Sequence, residues 1–319
     1  MPQRSPAPIT LFVYNRPLHT KKVLDTLSIN PEARHSILYI YCDGPKSDAN
    51  IEIQKKIAET RLIAKTENRF KEVFVVEQLE NKGLANSIID GVTEVVNRHG
   101  TVIVLEDDIV TSPGFLKYMN DALKVYENET KVMHISGYIL PVKKKLPETF
   151  FYKPATCWGW ATWARAWKYF EKNAEKQIRE LTDKGHWKEF TVDYSYMGYK
   201  SHLEANLDGR LNTWAIFWYA SIFLAGGTSL HPYPSLVQNI GTDGSGIHSG
   251  GDENSTSPYT WENLAKTIVV EHKVDFQDKR VYRLIRDYQK PSPLPVHSRI
   301  RNFMSRVKNK LKSVIGYCL

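Results

Sequence analysis

Three carboxylates stand side by side at Glu106, Asp107 and Asp108, directly after the apolar run TVIVL (101–105) and just before Ser112-Pro113-Gly114. Adjacent carboxylates repel, so such a run belongs on a solvated turn or faces a cation or a hydrogen-bonding ligand. In the second case the chemistry is that of a hard divalent ion, Mg2+ or Mn2+, with positions left open for phosphate oxygens. Other polar groups end apolar runs in the same way. Asn15-Arg16 follows ITLFVY (9–14), Asp43 follows ILYIYC (37–42), and Asn81-Lys82-Gly83 follows VFVVEQL (73–79). The chain has no G-x-x-x-x-G-K-[ST], and no G-x-G-x-x-G after the first run. A phosphate ligand would therefore be held by a metal and by Arg or Lys rather than by a glycine cradle.

The elements that must position these residues alternate between two periods. Helical spacing is predicted from about Thr20 (Val23, Leu24, Leu27), over 48–66, from Leu84 to Gly100 (Ile88, Val92, Val95, Val96), and after Ser112-Pro113 (Phe115, Met119, Leu123, Tyr126). With VMHIS (132–136) as a fifth strand, the order βαβαβαβ implies a mostly parallel α/β sheet whose ligands bind beyond the carboxyl ends of its strands. The second half is less regular. It holds CWGWATWARAW (157–167), a polar helical stretch (171–190), an apolar helix in NTWAIFWYASIFLAGG (212–227), and NIGTDGSGIHSGGDENS (239–255), a loop by composition. PSPLPVH (291–297) reads as a linker to a basic amphipathic helix carrying Ile300, Phe303, Met304, Val307, Leu311, Val314 and Ile315. The expected division is 1–140 for a ligand-binding half built on the parallel strands, 141–290 for the less regular half of the same domain, and 291–319 for the tail.

Composition narrows the partners. The 319 residues carry a formal charge of +8, but Lys290 to Leu319 hold seven Lys or Arg and no acid, leaving 36 bases against 35 acids in the body. Basicity confined to a tail is not the mark of a nucleic-acid-binding surface. Three cysteines, Cys42, Cys157 and Cys318, fit neither a metal knuckle nor a disulfide framework and point to a reducing cytosol. No apolar stretch approaches a membrane span, and MPQRSPAPIT lacks the apolar core of a signal peptide.

Four stretches in this order resemble GT-A glycosyltransferases: FVYNRPLHTKKVLDTL, YCDGP, ENKGLANSIIDGV and VIVLEDDIVTSPGFLKYM. The third is similar to a segment of family 2 glycosyltransferases. The fourth resembles the Glu-Asp-Asp segment of the N-acetylglucosaminyltransferases that initiate hybrid N-glycans. The resemblance covers about residues 8–140, continues more weakly through WGWATW and SGIHSG, and does not reach the tail. It implies a GT-A type α/β fold with a nucleotide-binding sheet, and a hexosyl- or N-acetylhexosaminyltransferase using a nucleotide-diphospho-sugar, a UDP-sugar by the family's habit. By the same resemblance Asp108 binds Mn2+ or Mg2+, Asp107 contacts the ribose, and Glu106 orders the turn or the sugar. Asp43 reads the base, Tyr14, Asn15 and Arg16 contact the nucleotide, and Lys82 and Gly83 flank the nucleotide or sugar. His248 resembles a late histidine that meets the metal or diphosphate; a solvated loop histidine is the plainer reading.

An inverting transfer needs a carboxylate base for the acceptor hydroxyl. In the resembled enzymes an acidic pair precedes a Trp at a helix start, whereas here Leu211-Asn212-Thr213-Trp214 has no acid. Asp208, then Glu204, are the nearest acids upstream, and Asp243 lies in the loop; surface acids are the alternative for all three. Trp158 and Trp160 are expected either to wall a sugar or to pack in the core. The basic tail suits a lipid-linked acceptor at an anionic membrane surface, which implies a cytoplasmic, peripheral enzyme of surface-glycan synthesis. Competing readings are a sugar nucleotidyltransferase, whose Gly-rich N-terminal signature is missing from PAPITLFVYNRP, and a carbohydrate-binding protein that has lost its base.

Overall fold

The computed structural model describes residues 5–193, 197–241, 259–276 and 278–289. Strands β1 (Ile9–Val13), β2 (Ile37–Cys42), β3 (Glu72–Glu77) and β4 (Thr101–Glu106) alternate with helices α1 (Pro17–Ser28), α2 (Ile51–Thr66) and α3 (Leu84–His99). A short β5 (Ile109–Thr111) leads to α4 (Phe115–Val125) and β6 (Val132–Ser136). The second half adds β7 (Thr149–Tyr152), β8 (Trp160–Trp163), helices α5 (Ala164–Trp167), α6 (Ala174–Asp183), α7 (Trp187–Phe190), α8 (Tyr199–Leu207) and α9 (Ala215–Leu224), strands β9 (Thr228–Pro232) and β10 (Val237–Asn239), and α10 (Lys279–Gln289).

Eight strands form one sheet in the order β3-β2-β1-β4-β8-β6-β9-β7. β3, β2, β1 and β4 run parallel, as the alternating pattern predicts. The fifth strand does not sit beside the fourth: β8 inserts between β4 and β6, antiparallel to both. Strands covered on both faces read as continuous apolar runs, and β1 is buried at all five positions. Residues of β4 alternate between two cores, Ile103 and Leu105 on one side, Val102 and Val104 on the other. The same alternation turns Glu106 toward the side of Val104. Local chemistry sets the helix ends. Asn50 caps α2 through the Ile53 N–H at 2.9 Å, and Gly100 ends α3 in the left-handed conformation at φ +81°.

The core on the Val104 side is built from tryptophans. Trp160 is 0% exposed and stacks on Trp214 (5.2 Å) and His134 (5.4 Å), with Trp167 and Trp218 beside it. The expectation that Trp160 walls a sugar is corrected here, because a ring enclosed on all sides has no face to offer. His134 accepts from the Trp218 indole N–H at 3.1 Å and pairs through Nε2 with the Thr156 carbonyl at 3.1 Å, which fixes a neutral ring with its proton on Nε2. His231 is wedged between the carbonyls of Tyr138 (3.1 Å) and Pro154 (3.0 Å), and a neutral ring can donate to only one of them.

Burial pushes His134 down to about 3 and His231 down to about 4, the carbonyls around His231 opposing part of the effect. Both rings charge near pH 6.5 when unfolded. Their contribution is complete above that value and is lost as pH falls, from about 6.5 to 4 for His231, by up to about 3 kcal/mol, and on down to about 3 for His134. The thermal midpoint is expected to drop across this interval, with a shallower slope in His231→Gln. Equal slopes for the two proteins would contradict it.

Candidate functional site

β1 and β4 pair in parallel with Phe12 opposite Glu106, so the residues after both strands meet at the carboxyl edge of the sheet. Arg16 stands at the N-cap of α1, ahead of Pro17, whose ring presets the helical φ. Its Nη1 donates to Asp108 Oδ2 at 3.0 Å and lies 3.5 Å from Asp107 Oδ1. Asp107 is 7% exposed and accepts the backbone N–H of Tyr14. Its carboxyl is pushed up to about 7 by burial, against the pull of Arg16 and with a further push from Asp108. Glu106, half-buried, is raised well above the carboxylate range by burial and then by Asp108 and Asp107. The triplet is thus a built site rather than a solvated turn, with the carboxylates of Asp107 and Asp108 gathered around one guanidinium nitrogen and Glu106 close enough to feel both of their charges.

The second half of the chain closes over it. β5 pairs antiparallel with β10, which delivers the Ile240 N–H to the Asp108 carbonyl at 2.9 Å. Gly241 follows, and a Cβ there would lie 2.3 Å from Asp108 Oδ2 and 3.1 Å from Arg16 Nη1. Only a residue without a side chain leaves room at the carboxylate.

The geometry fits a divalent cation in part. Asp107 and Asp108 converge oxygen atoms on one point, marked by a nitrogen cation, in a cradle that a methyl group would fill. Among the described residues no group of three or more His, Cys, Asp or Glu is placed to hold a metal. A cation at this point would take two carboxylates from the triplet, leaving positions for phosphate oxygens or water. His248 and Asp243 lie outside the described residues, as does the tail 291–319.

Asp43 forms a second centre. It is 7% exposed, and its Oδ1 accepts the N–H groups of Gly44 (2.9 Å) and Lys82 (2.8 Å). Its Oδ2 accepts the Asn81 amide (2.9 Å) and the Gly83 N–H (3.0 Å). A carboxylate offers about four lone-pair directions, and all are engaged. Asp43 therefore anchors the turn that opens α3, and a base would have to share an occupied oxygen. A Cβ on Gly44 would fall 2.4 Å from the Glu80 backbone, so the two turns touch directly. Arg61 of α2 completes the clamp, donating to the carbonyls of Gln78 (2.6 Å) and Asp43 (3.3 Å). A lone Arg in a polar helix gave no sign of this in the sequence. Lys82 points its ammonium at Asp90 of α3, 3.1 Å away. Tyr14 is half-buried with its hydroxyl at the Lys46 backbone, and burial raises its pKa. Asn15 is half-buried beside it.

Trp158 is half-buried, edge-on to Tyr138 at 4.5 Å and to Tyr259 at 6.2 Å. The adjoining Cys157 thiol is pushed up by burial and then by the charge of Glu106, which locates this turn beside the triplet. The acids of α8 are placed differently. Asp208 is exposed and paired with Arg210 at 2.7 Å, which holds it below the ordinary carboxylate range, and Glu204 is exposed opposite Lys200 at 3.7 Å. Asn212, where the resembled enzymes carry an acid, accepts from Lys172 at 2.5 Å.

No protein-family model matches the chain, and no curated protein matches it significantly. Solved structures similar to it include the mannosyltransferase PcManGT from Pyrobaculum calidifontis in complex with GDP-Man and Mn2+, at 10% identity over 70% of both chains with a TM-score of 0.42. The galactosyltransferase LgtC in complex with donor and acceptor sugar analogues is similar at 9% identity over 70% of this chain and 72% of that one, TM-score 0.36. A UDP-glucose pyrophosphorylase complexed with UDP-glucose is similar at 11% identity over 71% of this chain and 90% of that one, TM-score 0.34. Among the described residues no helix is long and apolar enough to cross a membrane.

Proposed function

We propose that the protein is a metal-dependent, inverting glycosyltransferase that moves a sugar from a nucleotide-diphospho-sugar, with UDP as the expected nucleotide, to a glycan acceptor. The observation that carries this reading is the convergence of Asp107 and Asp108 on Arg16 at the carboxyl edge of a parallel sheet, with one guanidinium nitrogen 3.5 Å and 3.0 Å from the two carboxylates. Asp107 and Asp108 would hold Mn2+ or Mg2+, which when bound would offset the negative charge developing on the leaving diphosphate. The Asp43 clamp presents the backbone of 81–83 to the nucleoside, while Tyr14 and Asn15 flank it from the first strand. Trp158 and its neighbouring tyrosines offer an aromatic wall to a sugar beside Glu106. For the acceptor proton, Glu204 stands ahead of Asp208, because Arg210 lowers the basicity of the latter.

The tail, by its apolar stripe and basic charge, would hold the enzyme at an anionic membrane near a lipid-linked acceptor, on the cytoplasmic side. A second reading, carbohydrate binding without transfer, is favoured by one observation: Asn212 and Thr213 stand where the resembled enzymes carry acids. A thermal-shift panel of nucleotide sugars with and without Mn2+ tests both. The transferase reading expects a shift for one nucleotide class that needs Mn2+, followed by slow release of free sugar from that donor. A Mn2+-dependent shift without sugar release favours the binding protein, and no shift with any donor overturns both.

A further inference from the structure

We propose that Arg16 is a built-in cation that occupies the charge position of the divalent ion, so that metal binding and the release of Arg16 from Asp107 and Asp108 are a single exchange. This rests on the donor-site reading above. Nη1 of Arg16 touches Asp108 Oδ2 at 3.0 Å and sits 3.5 Å from Asp107 Oδ1, using the carboxylates on which a metal would depend. The Gly241 backbone presses against this pair from one side, where a Cβ would already lie 2.3 Å from Asp108 Oδ2 and 3.1 Å from Arg16 Nη1. A guanidinium and a divalent ion compete for the same lone pairs and repel each other.

The arrangement has a purpose in the free protein. Adjacent carboxylates at the end of β4 repel one another, and Arg16, from the end of the neighbouring strand, supplies the positive partner that offsets this. Once displaced, a planar guanidinium with paired donors is well suited to a diphosphate. Metal and nucleoside diphosphate then assist each other, because the diphosphate gives the displaced arginine a new anion and the metal frees it to move. Such coupling is reciprocal between the two ligands.

The exchange is tested by titrating Mn2+ into the full chain and following free Mn2+ by electron paramagnetic resonance, with no turnover involved. Arg16→Gln is expected to bind Mn2+ about tenfold to a hundredfold more tightly than wild type in the absence of nucleotide, the span set by a charge-assisted hydrogen bond. UDP is expected to tighten Mn2+ binding strongly in wild type and much less in the variant. Equal or weaker Mn2+ binding by Arg16→Gln, with binding still abolished in Asp108→Asn, overturns the exchange and leaves the metal seat standing. Mn2+ binding that ignores Asp108, or none even with UDP present, removes the seat and the exchange together. If Arg16→Gln does not fold, Arg16→Met provides the same neutral comparison. The wild-type titration also decides by itself, since Mn2+ affinity unchanged by UDP refutes the exchange.

Discussion

Asp108→Asn is expected to fold normally and to lose donor cleavage and transfer by on the order of a thousandfold, the scale on which one preorganised electrostatic group acts. Asparagine keeps the shape and one acceptor for Arg16, so the contact between α1 and the triplet survives. What disappears is one of the two charges that converge on a cation. The stability expectation is distinctive: burial raises both neighbours and Asp108 adds to it, so removing one of three crowded charges relieves that added repulsion and the thermal midpoint should be equal to or higher than wild type. Activity is measured as sugar release from the responsive donor at saturating Mn2+, and stability by thermal unfolding of the metal-free proteins. Activity in Asp108→Asn close to wild type, or wild-type activity that survives EDTA, contradicts the assignment. A large fall in midpoint would show that the triplet serves the fold before it serves a ligand.

Much of this site is legible in the chain because parallel strands announce themselves. ITLFV, ILYIYC and TVIVL are apolar without alternation, which only a strand covered on both faces requires, and each is followed at once by polar residues. The convergence of Arg16 with Asp108 follows from the β1–β4 pairing, although 92 residues separate them. Other features depend on contacts that no local pattern records. WATW is a central antiparallel strand, but its tryptophans suggest carbohydrate chemistry as readily as core packing. Their partners, His134, Trp214 and Trp218, come from distant elements. Gly241 looks like any loop glycine until β10 pairs with β5 and carries it to Asp108. The α8 acids show the reverse case: Glu204 and Asp208 are close in sequence to a position of interest, yet each is engaged on the surface by a neighbouring base.

The role of Asp43 separates the family expectation from the geometry, and Asp43→Ala decides between them. If Asp43 acts as the anchor described above, its removal strands three backbone N–H groups and the Asn81 amide. A buried donor left without a partner costs about 1–3 kcal/mol, and water reaches part of this turn, so a total loss of about 3 kcal/mol is expected in denaturant unfolding. The turn 81–83 then loosens at the start of α3, and nucleotide affinity falls with it. If Asp43 instead reads the base directly, the cost falls on binding while unfolding stability stays near wild type. Asp43→Asn sharpens the distinction. An amide can offer one oxygen to two of the four donors but turns its own N–H groups toward the others, so the anchor reading expects it to be nearly as destabilising as alanine. Direct base reading expects a stable protein with altered nucleotide preference. The unfolding midpoints of the two variants, set against UDP affinity, discriminate because an anchor couples stability to binding and a reader does not.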